Sequence, residues 1–146
     1  MLKKNFLLMI ICLTLFSCAT THTTKIKNSF VWDEELPADE TTSVVLYYDP
    51  WKGSTIVTSY NGISVDWRST TELVLPAGPT TFTVTGFYHG YSNYDYTLRN
   101  YLVEFNFKAG KHYELGVMHQ TGPFALGFFV LDKETQEKIF FPIDLD

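Results

Sequence analysis

The feature that most constrains the fold is a period-two alternation of apolar and polar residues. It runs without interruption through Thr81–Thr85, and it recurs in Tyr101–Lys108, where Tyr101, Val103, Phe105 and Phe107 form one set. Successive side chains of a strand point to opposite faces, so this period predicts strands with one buried and one hydrated face. After residue 18, no segment holds a 3.6-residue apolar period for ten residues. The chain is therefore predicted to form sheets rather than helices.

Turn signals separate the predicted strands. Asn61-Gly62, between Thr55–Tyr60 and Ile63–Trp67, predicts a hairpin with a type I′ turn, because both turn residues tolerate positive φ. Other predicted strands include Phe30–Trp32, Ser43–Tyr48, Tyr113–Val117, Phe124–Leu131 and Ile139–Ile143. About eight or nine short strands at this spacing predict an all-β fold, an antiparallel sandwich of two sheets, with barrel-like closure as the second choice.

The N-terminus predicts export. A short basic start containing Lys3 and Lys4 precedes Phe6–Phe16, an uncharged apolar run of 11 residues. A helix that spans a bilayer needs about 20 such residues. A basic start followed by a shorter apolar run is typical of a secretory signal peptide.

The residues Leu15-Phe16-Ser17-Cys18 resemble the lipobox of bacterial lipoproteins. In that family the cysteine sulfur receives a diacylglycerol, and cleavage leaves this cysteine as the first residue. The resemblance implies that Cys18 carries fatty acyl chains such as palmitate. It also implies that these acyl chains attach the protein to the membrane of the cell envelope. Ala19 stands where enteric lipoproteins of the inner membrane have aspartate, which implies the outer membrane. An ordinary signal peptide with an incidental cysteine and a signal-anchor helix are the alternatives.

Three segments follow from these patterns. We expect a signal peptide over 1–17, the lipidated Cys18 with a Thr-rich flexible tether over 18–28, and one β-sandwich domain over 29–146. Cys12 would leave with the signal peptide, so the mature domain would contain neither a disulfide nor a free thiol. The net charge of −5 argues against a nucleic-acid partner.

Turn motifs within the domain carry a second resemblance. Asn61–Val65, Leu73–Gly78 and Phe107–Tyr113 occur in the order hairpin, Pro-Ala-Gly turn and Ala-Gly-Lys hairpin. This order is similar to that of small bacterial lipoprotein domains of uncharacterised function and to PEGA-type surface domains. The resemblance implies a shared β-sandwich architecture and brings no catalytic residues.

The sequence contains no motif for a metal, a cofactor or a nucleophile. His112 and His119 lie seven residues apart on one predicted strand and would point to opposite faces, so we expect no metal site and no cofactor. Carboxylates that could in principle supply a glycosidase pair are Asp49, Asp66, Glu72, Asp95, Glu104 and Glu114.

One segment has a composition suited to recognition. Phe87–Tyr96 carries five aromatic residues within ten positions, together with a histidine, an asparagine and an aspartate. Tyrosine combines a large contact area with a hydroxyl group that forms hydrogen bonds. The candidate ligand-binding residues are Tyr88, His89, Tyr91, Asn93, Tyr94, Asp95 and Tyr96, joined by Trp51 from a second aromatic turn that also holds Tyr47 and Tyr48. The alternative is that these rings only cap the core or cover a sheet edge.

These observations leave three functional hypotheses. The first is a non-enzymatic, lipid-anchored envelope protein that binds an envelope protein or a glycan. The second is a structural subunit of an envelope assembly, which an open edge strand would favour. The third is a small envelope hydrolase acting through carboxylates, which a cleft holding two carboxyl groups would favour.

Overall fold

The computed structural model describes residues 23–25, 37–68, 70–90, 95–120 and 125–143, and these residues form eleven strands and no helix. The strands are β1 Thr23–Lys25, β2 Thr41–Leu46, β3 Tyr48–Asp49, β4 Gly53–Tyr60, β5 Ile63–Ser64, β6 Glu72–Pro76, β7 Gly78–His89, β8 Asp95–Phe107, β9 His112–Gln120, β10 Ala125–Asp132 and β11 Lys138–Pro142. The predicted all-β class is confirmed, although eight or nine strands were too few.

Two sheets pack face to face, as expected for a sandwich. The first sheet has the order β1-β6-β2-β9-β10-β11, and the second has the order β3-β4-β7-β8, with β5 also paired to β4. Neither sheet closes into a barrel within the described residues. Most neighbouring strands are antiparallel, but β1 with β6 and β2 with β9 are parallel pairs.

Burial confirms the predicted alternation from Thr81 to Val84 but not at Thr85, which was expected on the hydrated face and is buried where the pairing of β7 with β8 shifts register. On β7, Phe82 and Val84 are fully buried between the sheets, whereas Thr81 and Thr83 are partly exposed. At one end of the sandwich five rings pack together with centroid separations from 4.7 to 6.2 Å. We call this set the core aromatic cluster; it consists of Tyr60, Phe82, Phe105, Phe107 and Tyr113.

The Asn61-Gly62 turn is also confirmed. Asn61 has φ 44° and Gly62 has φ 80°, and Tyr60 pairs with Ile63 across the turn. The second strand of this hairpin is shorter than predicted, because β5 ends at Ser64. The hairpin lies at the end of β4 that is far from Gly53.

The prediction of one continuous strand over Ser43–Tyr48 is wrong. The chain leaves the first sheet after Leu46 and enters the second sheet at Tyr48. Tyr47 joins the two sheets, since its backbone N–H donates to the Leu115 carbonyl at 2.9 Å and its carbonyl accepts the Thr55 N–H at 2.9 Å. Both backbone groups of Tyr47 are therefore hydrogen-bonded, one to each sheet, where the chain passes from the first sheet to the second.

The predicted tether contains a paired segment. Thr23–Lys25 forms an edge strand of the first sheet, with Thr23 opposite Glu72 and Lys25 opposite Val74. The signal peptide, Cys18 and the predicted strand Phe30–Trp32 lie outside the described residues. The boundaries at 17 and 28 therefore stay predictions.

Candidate functional site

The structure brings the two aromatic segments of the sequence together. The turn between β3 and β4 lies beside the end of β7, where Gly53 pairs with Tyr88 and the His89 N–H donates to the Lys52 carbonyl at 3.0 Å. β8 continues this surface, because Tyr88 pairs with Tyr96. We call this end of the second sheet the aromatic end; Tyr48 and Phe87 lie on one face of it, Tyr88 and Tyr96 on the other, and Trp51 in the turn.

Asp49 shapes the turn that carries Trp51. One oxygen of its carboxylate accepts the backbone N–H of Trp51 at 2.9 Å and that of Lys52 at 3.2 Å. Gly53 follows with φ 143°, and a Cβ atom at this position would lie 2.1 Å from the Phe87 carbonyl oxygen. Only glycine allows β4 to approach β7 this closely while the turn projects Trp51 outward.

The rings of the aromatic end are exposed to solvent to an unusual degree. The exposed fraction is 85% for Trp51, 74% for Tyr48, 45% for Tyr96 and 37% for Phe87. Tyr48, Ser54 and Phe87 are successive partners across three strands, so their side chains share the outer face of the second sheet. A surface with this many exposed rings is typical of a contact site rather than of an ordinary sheet face.

Contacts behind these rings hold the surface in place. Tyr88 stacks on His119 of the first sheet, with ring centroids 6.1 Å apart, and so ties the two sheets together at this end. Burial raises the pKa of Tyr47, and the nearby Asp49 carboxylate raises it further. The hydroxyl of Tyr47 therefore stays protonated and lies 3.5 Å from the Asp49 carboxylate.

The candidate residues of the Phe87–Tyr96 segment divide into three groups. Tyr88 and His89 end β7, and Asp95 and Tyr96 begin β8, so these four belong to strands rather than to the loop expected. His89 Nδ1 lies 2.8 Å from an oxygen of Asp95, and both side chains are exposed. Tyr91, Asn93 and Tyr94 lie outside the described residues.

Sequence reasoning did not identify all the residues that build this surface. The carbonyl of Lys52 accepts the His89 N–H, and Gly53 allows the backbone of β4 to lie close to Phe87. The ring of His119, from the other sheet, stacks on Tyr88. Gly53 carried a usable signal, since it follows an aspartate and a proline in a turn. His119 carried none, because its contact depends on how the two sheets pack.

The candidate carboxylates mostly have local partners. Asp66 accepts the Arg68 N–H at 3.3 Å, Asp95 faces His89, and Glu72 accepts the Ser43 hydroxyl. Among the described residues no group of three histidines, cysteines or carboxylates is placed to hold a metal ion.

The groove beside the core aromatic cluster has a volume of about 300 Å³ and contains Asp132 and Glu137 in its lining. The backbone N–H groups of Thr135 and Glu134 donate to the carboxylate of Asp132 and lower its pKa. A general acid of a glycosidase needs the opposite shift. The hydrogen bonds of Asp132 therefore indicate that its carboxylate stabilises the turn that follows β10.

Comparison with known proteins adds no identity: no family model, curated protein or solved structure matches the chain. In the parts of the chain that the structure describes, no helix is long and apolar enough to cross a membrane.

Proposed function

We propose that the chain is a non-enzymatic, lipid-anchored protein of the cell envelope, held in the outer membrane by acyl chains on Cys18, that works by contact through its aromatic end. The observation that carries this proposal is that two aromatic segments, distant in sequence, meet at one end of the second sheet, where the His89 N–H donates to the Lys52 carbonyl. Trp51 and Tyr48 together present most of their ring area to solvent. Burying such rings against a partner is favourable by about 25 cal/mol for each Å² of apolar area removed from water.

The anchor is tested by metabolic labelling. Cells grown with labelled palmitate are expected to incorporate the label into the wild-type chain and not into Cys18→Ala. Equal labelling of the two chains would contradict the anchor.

The contact surface is tested by photo-crosslinking in intact cells. A photoreactive amino acid in place of Trp51 is expected to yield crosslinked products. The matched control is the same amino acid in place of Ile63, which is 42% exposed in the hairpin at the opposite end. Equal yields from both positions would contradict a contact role for the aromatic end.

A structural role in an assembly is the second candidate, and one observation favours it. β8 has 13 residues, and its outer edge has no paired strand among the described residues. Open edges accept strands from other chains. However, a β-bulge opposite Val84–Gly86 interrupts β8, and Arg99, Glu104 and Lys108 place charges along or beside it, both of which discourage strand addition.

Hydrogen exchange distinguishes this second candidate. If β8 accepts a partner strand, its amides should exchange more slowly in native envelopes than in the purified protein, whereas those of the central strand β9 should not change. Unchanged exchange in β8 would exclude strand addition at this edge.

A further inference from the structure

The start of β1 lies near the aromatic end. β1 runs parallel to β6, and its first residue, Thr23, pairs with Glu72, which in turn pairs with Val45 of β2. Two residues after Val45 the chain reaches Tyr47 and crosses to the aromatic end. The direction of β1 therefore leads from the aromatic end toward the opposite end of the sandwich.

The length of chain before Thr23 is short. Cys18 is five residues before Thr23, and five extended residues span at most about 18 Å. Thr23, Glu72, Val45 and Glu114 are successive partners across the first sheet, and β9 continues six residues past Glu114 to Gln120. Six residues of strand extend about 20 Å. The segment from Cys18 to Thr23 can therefore reach no farther beyond Thr23 than β9 already extends at this end of the sandwich.

The short segment between Cys18 and Thr23 limits how far an anchored domain can stand from a bilayer. Acyl chains on Cys18 would place the backbone of that residue at the level of the lipid headgroups. Because the chain from Cys18 to Thr23 cannot extend beyond the end of the sandwich, the domain cannot be held clear of the headgroups. The part that meets them is the end at which β1 begins.

The side chains at this end suit a membrane interface. Trp and Tyr concentrate at headgroup level because one part of each ring is apolar and another forms hydrogen bonds. The most exposed rings of the described residues are Trp51 and Tyr48. Charge does not supply the attraction, since the whole chain has a net charge of −5 and the charges beside these rings are mixed, from Lys52, Asp49 and Asp95.

We infer that the partner of the aromatic end is the lipid surface itself: Trp51 and Tyr48 dock at headgroup level on the bilayer that holds Cys18. The inference rests on the proposed lipid anchor and names what the contact surface touches. The anchor makes docking intramolecular, so that weak contacts by a few rings suffice. The domain then stands end-on, with the Asn61-Gly62 hairpin directed away from the membrane.

The test measures how deeply two tryptophans lie in a bilayer. The acylated protein is purified from its own membrane as two variants, W32F/W67F, which retains Trp51, and W32F/W51F, which retains Trp67. Trp67 is the comparison residue: it is 42% exposed and lies two residues after Val65, whose N–H donates to the Thr58 carbonyl in the half of β4 that ends at the Asn61-Gly62 hairpin. Both are reconstituted into vesicles of phosphatidylethanolamine and phosphatidylglycerol that contain a lipid spin-labelled near the headgroup.

The expected result is severalfold stronger quenching of Trp51 than of Trp67 by the spin-labelled lipid, unchanged by added salt. Equal quenching of both, or none of Trp51, overturns the inference while leaving the anchor and the contact role intact. Mass spectrometry of the same samples reports acylation, and an unmodified Cys18 would overturn the anchor and the inference together. If Trp51 emission shifts with soluble cell-wall glycan fragments and not with vesicles, the partner is a glycan and the inference is wrong.

A second pair of variants does not depend on tryptophan replacement. The acylated mature chain would hold no free thiol, so Trp51→Cys and Ile63→Cys can each be labelled with a polarity-sensitive fluorophore. The label at position 51 is expected to shift to shorter wavelength on reconstitution, and the label at position 63 is not. The same shift at both positions would show that the domain does not stand end-on.

Discussion

The two ends of the sandwich use the same kind of residue in opposite ways. In the core aromatic cluster, Phe82 and Phe107 are at most 2% exposed, and each ring packs against others. At the aromatic end, Trp51 and Tyr48 are the two most exposed large hydrophobic side chains of the described residues. Aromatic content alone therefore does not distinguish a core from a contact surface. The position of a ring relative to the two sheets decides which it becomes.

Removal of one ring from each end should separate the two roles most clearly. Phe107→Ala is expected to lower the free energy of unfolding by about 3–5 kcal/mol, because it leaves a cavity in the core. Trp51→Ala should change it by no more than about 0.5 kcal/mol, since few contacts are lost at an exposed site. Urea denaturation of both variants measures this. A loss at Trp51 comparable to that at Phe107 would show that the aromatic end is part of the core.

The next largest effect concerns the backbone behind Trp51. Gly53→Ala is expected to destabilise the fold by about 2–3 kcal/mol, because the new Cβ would overlap the Phe87 carbonyl oxygen. Gly78→Ala is the matched control: Gly78 also has positive φ, at 126°, but no atom lies within 4 Å of its added Cβ. We expect about 1 kcal/mol there, from backbone conformation alone. Equal losses in thermal or urea unfolding would mean that the contact with Phe87 does not constrain the aromatic end.

The exposed contact between His89 and Asp95, beside the aromatic end, should contribute less. Asp95→Asn removes the charge facing His89 and is expected to change the free energy of unfolding by about 0–1 kcal/mol, as for other exposed pairs. A double-mutant cycle with His89→Ala measures the interaction. A larger coupling energy would indicate that the pair holds β7 and β8 together.

The smallest effect is expected at the opposite end of the sandwich, at Asp132. Its folded pKa lies below the ordinary value of 3.8, so the charged form stabilises the fold above that pH. This contribution should be lost as the pH falls through the folded pKa. Asp132→Asn should therefore be slightly less stable than wild type at neutral pH and equally stable in strong acid. A difference between the two chains that does not depend on pH would exclude a role for the charge.

The candidate site was only partly predictable. The composition of Phe87–Tyr96 identified the segment, and Trp51 was associated with it by residue type alone. The hydrogen bond between His89 and Lys52 was not predictable, because it joins the end of β7 to a turn that is distant in sequence. The identification of Tyr91, Asn93 and Tyr94 as ligand-binding residues stays a prediction.

The sequence by itself determined the all-β class, the buried face of the clearly alternating strands and the Asn61-Gly62 hairpin. These features depend on neighbouring residues: alternation assigns the two faces of a strand, and positive φ at two adjacent residues defines the turn. Only the tertiary structure decided that the chain changes sheets at Tyr47, that β1 pairs beside β6, and that the turn carrying Trp51 lies beside the end of β7. A period-two pattern shows which face of a strand is buried but not which strand lies beside it, because partner choice depends on the packing of the whole sandwich.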